Sequence, residues 1–339
     1  MSKTNTSSTT ISLKHILNTI SYEQFQLEIL EELKAMLDDE YTVELRQVIR
    51  NNSVELVVIA IREAKNSIAP NIYLDLYYEK YLEGYKITEL AQLIVDSYFD
   101  YYEDERIDIN ILDFRWERVR DRVFYRVINR DKNLKLLQQV PHLLYLDLAI
   151  TFHCLMTKSE NNIGTMRVTK DHMKTWGIKL KDLRDMAIIN TPRLFPASIR
   201  NMNDVILDIL NKDWINGSNQ NSMSSISDEL SEEMIADMVI KSENDDNIMY
   251  VMSNSRGIGG ATCLLYKELL YEFAHEIDSN LFILPSSIHE VLIVKDDGYV
   301  DKEDLREMVI GVNETEVEEE DFLSNQIYHY NRFSNMITM

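Results

Sequence analysis

All five prolines of this 339-residue chain fall in four short phrases. They are Ser67–Leu74, Val140–Asp147, Asn190–Pro196 and Leu284–Glu290, and three of them set a proline near a His or Arg. Proline fixes φ and removes a backbone donor, so a polar side chain beside it is held at the end of an element. The most pointed of these side chains is Asp147, set between Leu143-Leu144-Tyr145-Leu146 and Leu148-Ala149-Ile150. On a strand, either face of that run is apolar, and a carboxylate there needs a partner. Arg193, between Pro192 and Leu194, is a rigidly placed guanidinium suited to that pairing. The spacing predicts Asp147 and Arg193 within ion-pair distance. A structural ion pair is the plainer reading. The functional reading is an acid–base site that also takes in His142 and His289.

Other constellations are tested by their spacing. Ser286-Ser287-Ile288-His289-Glu290 holds hydroxyls, an imidazole and a carboxylate in one connection. A catalytic triad is built from separate elements, so Ser286 or Ser287 reads as a turn-capping hydroxyl and His289 as a strand-edge group. Ser287 and His289 are the catalytic candidates if that reading fails. Ser255-Arg256-Gly257-Ile258-Gly259-Gly260 runs from a strand pattern into a helix pattern, a geometry that cradles anions. Arg256, Gly257, Gly259 and Gly260 are therefore anion candidates. Their spacing fits neither phosphate-loop motif, which favours a tight turn.

No metal is expected. His275-Glu276 and His289-Glu290 each lack a second His four residues after the first, where Ser279 and Ile293 stand. His142 and His153, read on one strand, face opposite sides. No cofactor motif is found.

The elements that position these residues read as α+β, with mixed or antiparallel sheets and packed helices. Ser21 caps a helix to about Asp39, with Gln24 as the reciprocal capping partner. Tyr41–Arg50 and Val54–Glu63 form a hairpin around Asn51-Asn52-Ser53. Asn71–Leu74 is extended, Asp75–Glu83 helical, and another helix opens near Ile87. Trp116–Asn129 reads as a helical turn and then a strand, and Leu143–Met156 as strand with Met166–Val168 beside it. Thr169 caps a helix closing at Gly177, and a second runs from Lys181 to Thr191, stopped by Pro192. Further on come strand Ile248–Ser253, helix Ala261–Ile277, strands Leu281–Leu284 and Val291–Val294, helix Lys302–Asn313 and strand Ile327–Arg332. The expected organisation is a tail at 1–20, an N-terminal lobe at 21–210, a polar and acidic insertion at 211–247, and a C-terminal lobe at 248–339, the lobes intimately packed.

Composition bounds the function. The formal net charge is −22, which repels phosphate backbones and anionic lipid, so direct nucleic-acid binding is disfavoured. Residues 301–321 carry ten Asp or Glu against Lys302 and Arg306, whereas 115–135 carries eight Lys or Arg. Arg118, Arg122 and Arg126 are therefore expected to pair with internal carboxylates. Cys154 and Cys263 lie in apolar runs and read as buried thiols. With no apolar run of transmembrane length and no signal peptide, a cytoplasmic protein is expected.

The four proline phrases, with Trp176-Gly177 and Asn313-Glu-Thr-Glu-Val317, resemble a domain-of-unknown-function family of anaerobic Gram-positive bacteria and their mobile elements. The likeness covers about residues 20–335, as for a single full-length member. The C-terminal half also resembles a second uncharacterised bacterial family. Neither implies an activity, a catalytic residue or a cofactor. The leading functional expectation is a non-catalytic accessory or interaction protein with a protein partner. The alternatives are an acidic decoy of a nucleic-acid-binding protein, and a weak enzyme at the proline phrases.

Overall fold

The computed structural model of the chain describes residues 19–64, 70–103, 114–156, 164–215 and 249–339. The expectations for residues 1–18, for the start of the first proline phrase and for most of 211–247 lie outside them. The chain divides into two compact units. One is Met1–Arg50, Glu55–Phe114 and Met156–Ile163; the other is Asn51–Val54, Arg115–Leu155 and Gly164–Met339.

The first unit is a small sheet covered by helices. Helix α1 (Tyr22–Met36) starts where the Ser21 hydroxyl accepts from the Gln24 N–H, and its Phe25, Ile29 and Leu33 are fully buried at helical spacing. The Gln24 side chain donates to Glu28. Strands β1 (Tyr41–Ile49) and β2 (Glu55–Glu63) pair antiparallel as the expected hairpin, and β3 (Asn71–Tyr73) joins β2. Helices α2 (Asp75–Leu82) and α3 (Ile87–Glu103) follow, with Leu90 and Ile94 in the same core.

The second unit carries two antiparallel sheets. A short helix α4 (Trp116–Val119) leads into β4 (Val123–Asn129), and α5 (Leu134–Gln139) into the hairpin β5 (His142–Tyr145) and β6 (Leu148–Leu155). Strand β7 (Thr165–Arg167) adds to the far end of β6. The long apolar run at 143–156 is thus two strands, because Leu146 takes a positive φ of 53° and turns the chain. Helix α6 (Lys170–Trp176) begins with a capping box of Thr169 and His172 and ends at left-handed Gly177.

Helix α7 (Leu180–Leu194) runs through Pro192 rather than stopping before it. The proline lies in the last turn, where the carbonyl it leaves unbonded belongs to exposed Ile188. Thr191 holds that turn by donating to the Ala187 carbonyl and accepting from the Tyr125 N–H.

Strand β8 (Ala197–Asn201) is followed by α8 (Met202–Ile215) and pairs with β9 (Met249–Asn254). The expected insertion at 211–247 therefore falls between two neighbouring strands of one sheet. The expected single helix at 261–277 is broken. A buried 3-10 segment, Gly260–Leu265, leads to extended Tyr266 and left-handed Glu268 before α9 (Leu269–Glu276). The Tyr266 hydroxyl donates to the Phe195 carbonyl at 2.7 Å, a tertiary anchor that overrides local helix preference. Strands β10 (Asn280–Leu284) and β11 (Val291–Asp296), helix α10 (Lys302–Thr315), then β12 (Tyr328–Asn331) and β13 (Met336–Thr338) complete the six-stranded order β13-β12-β10-β11-β9-β8. The fold is α+β. No helix among the described residues is long and apolar enough to cross a membrane.

Candidate functional site

Strand alternation gives the β4-β6-β5 sheet two unlike faces. Val123, Tyr125, Val127, Leu148 and Phe152 point into the main core of the second unit. The other face carries Phe124 and Arg126 on β4, Thr151 and His153 on β6, His142 on β5 and Arg167 on β7. Arg126 lies opposite Thr151, which lies opposite His142; Phe124 lies opposite His153, which lies opposite Arg167. His142 and His153 thus share a face, contrary to their expected opposition, because the turn at Leu146 puts them on different strands.

This face gathers positive charge in an acidic chain. His153 is buried, stacks on Phe124 and shares a hydrogen bond with Thr151 Oγ1 at 3.1 Å. Burial drives its pKa well below the usual 6.5, and the charges of Arg126 and Arg167 push the same way. The Arg126 guanidinium sits over the Phe124 ring, 5.3 Å from its centroid. Desolvation, and then Arg167, lower its pKa to about 10. It remains charged at neutral pH. Among the described residues no carboxylate pairs with Arg126, which corrects the expected ion pairing at this position. Arg118 and Arg122 both make interactions.

Beside Arg126 the glycine turn borders a small, half-open cavity. Its walls include Arg126, Thr191, Asn254, Gly259, Thr262 and Tyr266, around a volume of about 10 Å³. The turn is pinned by the Asn254 side chain, which donates to the Ile258 carbonyl and accepts from the Arg256 N–H. Gly257 and Gly259 take φ of 63° and 64°, which glycine adopts without steric cost. At Gly260 a Cβ would stand 2.1 Å from Ser253 Oγ and 2.3 Å from the His289 carbonyl oxygen, so only glycine fits.

The anion candidates Gly257, Gly259 and Gly260 thus form a real structured turn. The guanidinium lining the cavity belongs to Arg126, however, and Arg256 contributes a backbone bond to the turn itself. Sequence reading missed Arg126 as a site residue. Its partners come from β7 and the 3-10 segment, and only its strand parity is visible in the sequence.

Each proline-phrase candidate makes its own hydrogen bonds, and none of these joins a candidate of one phrase to a candidate of another. Asp147 sits in the β5–β6 turn. Its Oδ2 accepts from the Ser324 hydroxyl at 2.6 Å and its Oδ1 from the Tyr328 hydroxyl at 2.5 Å. Arg193 donates to the Asp121 carbonyl at 2.6 Å and to Asn190 Oδ1 at 3.2 Å. They form no ion pair, which corrects that expectation: Asp147 is satisfied by hydroxyls 177 and 181 residues away. His142 Nδ1 lies 3.2 Å from the Val140 carbonyl. The Ser287 hydroxyl accepts from the His289 N–H, as expected of a turn-capping group. His289 accepts from the Gly259 N–H on Nδ1 at 3.3 Å and faces Asp321 Oδ1 through Nε2 at 3.1 Å. The glycine turn and the last proline phrase therefore meet. Among the described residues no group of three His, Cys, Asp or Glu is arranged to hold a metal ion.

The chain belongs to a family of unknown function, DUF5688, which matches residues 22–332. No curated protein and no solved structure matches it.

Proposed function

We propose that this family member works by binding, as a non-catalytic accessory or interaction protein of a bacterial or mobile-element locus. One observation carries the reading. Two side chains with the right chemistry for turnover are spent on architecture: Asp147 ties the β5–β6 turn to Ser324 and Tyr328, and His289 ties the glycine turn to Asp321. A general base or nucleophile must keep its reacting atom open to substrate. The partner is a protein. The test is retention of a defined partner from host lysate on the immobilised chain, identified and then reconstituted from purified components. Failure of every retained candidate to rebind in purified form contradicts the reading.

A second reading has its own support. Asp301, Glu303, Asp304, Glu307, Glu314, Glu316, Glu318 and Glu319 are exposed on α10 and the turn after it. Arg306 and Lys132 pair with two of them. Such a surface suits a decoy that offers carboxylates to a nucleic-acid-binding protein. A decoy complex loses affinity steeply between about 50 and 200 mM salt, as phosphate contacts do. A reconstituted complex indifferent to salt removes this reading.

A further inference from the structure

We propose that the cavity under the glycine turn is an anion site, taking a halide or a single oxygen of a phosphate or carboxylate group between Arg126 and Thr262. This goes beyond the interaction reading and does not depend on it.

Three independent observations converge. First, Arg126 is a half-buried cation with no carboxylate partner among the described residues, in a chain with 57 acidic and 35 basic side chains. A charge partly withdrawn from water is stabilised by a counter-charge. Second, Thr262 Oγ1 is buried and has no hydrogen-bond partner, with Thr262 only 2% exposed. The other hydroxyls lining the cavity are spent, Thr191 on the Ala187 carbonyl, Tyr266 on the Phe195 carbonyl and Tyr125 on the Leu265 carbonyl. One donor is thus left over beside one uncompensated cation.

Third, the wall facing Arg126 is backbone. A Cβ on Gly259 would stand 3.2 Å from Arg126 Nε, so a side chain there would crowd the guanidinium. The His289 bond to the Gly259 N–H holds that wall in place. His153 on the same face is neutral at pH 7, and Arg167 adds positive potential. A volume near 10 Å³ is about one probe sphere, enough for a water or one anionic atom. A water would satisfy Thr262 and leave the charge uncompensated; an anion answers both.

The test titrates sodium bromide, phosphate or acetate into the full chain in low-salt HEPES and reads Tm. Wild type is compared with Thr262→Val, which keeps the shape and removes the hydroxyl, and with Arg126→Met. Wild type should show a saturable rise with at least one anion. Loss of one hydrogen bond to a charged group should raise the half-saturating concentration about tenfold in Thr262→Val. Arg126→Met should lose the saturable phase. Response to bromide alone assigns a halide; response to phosphate or acetate assigns an oxyanion. A bromide-soaked crystal of the wild type should show anomalous density between the guanidinium and Thr262 Oγ1. Identical salt dependence in all three proteins overturns the proposal, as does a crystal showing only water there.

Discussion

At the scale of single residues, Asp147 shows what a sequence can and cannot disclose. A carboxylate in an apolar run announces that it needs partners, and the run itself makes that legible. Which partners it finds is settled by the return of β12 and its preceding loop, and Arg193 is bonded elsewhere. Removing the carboxylate in Asp147→Ala leaves the Ser324 and Tyr328 hydroxyls without their acceptor. Hydrogen bonds to charged groups contribute about 1.5–3 kcal/mol each, so urea unfolding should report a loss of at least about 2 kcal/mol. His153 gives a prediction with a definite sign. Its folded pKa lies well below 6.5, so below about pH 6.5 the unfolded chain takes up a proton that the folded chain refuses. Stability therefore falls as the pH drops through 6 toward 5, by up to about 1.4 kcal/mol per pH unit from this residue. Burial also depresses the His172 pKa, which adds to the same trend. His153→Gln should flatten the slope relative to wild type between pH 6.5 and 5; an unchanged slope refutes the assignment.

At the scale of elements, signals confined to a few residues are legible in the sequence. The Ser21 and Thr169 caps and the Gly177 stop each depend on neighbours within four residues. The sequence misleads where a distant contact overrides local preference. Tyr266 breaks a helical pattern because its hydroxyl reaches Phe195, and Pro192 stays inside α7 because Thr191 is pinned to Tyr125. Two glycines separate these cases by experiment. Gly260→Ala forces a methyl against Ser253 and the His289 backbone. Overpacking of that kind typically costs about 1–3 kcal/mol, and backbone contact puts this site at the upper end. Gly311, on exposed α10, has nothing within 4 Å of an added Cβ. Gly311→Ala should stabilise by about 0.5–1 kcal/mol through helix propensity. Thermal melts that rank the two variants the other way contradict this role for the turn.

At the scale of the whole molecule, composition is informative about class and silent about the site. A net charge of −22 disfavours polyanionic ligands on the surface as a whole. It does not reveal that strand parity collects Arg126, His153 and Arg167 on one sheet face, since those residues come from three strands brought together by register. The acidic surface and this sheet face are compatible with binding as the mode of action, because both present charge while Asp147 and His289 tie turns to other segments. The most direct test measures turnover and stability together on wild type, Arg193→Met and His289→Asn, using a generic hydrolase panel and urea unfolding. Binding without turnover predicts that both variants are less stable and that none of the three proteins consumes substrate. Turnover by wild type that a variant of unchanged stability has lost would contradict it.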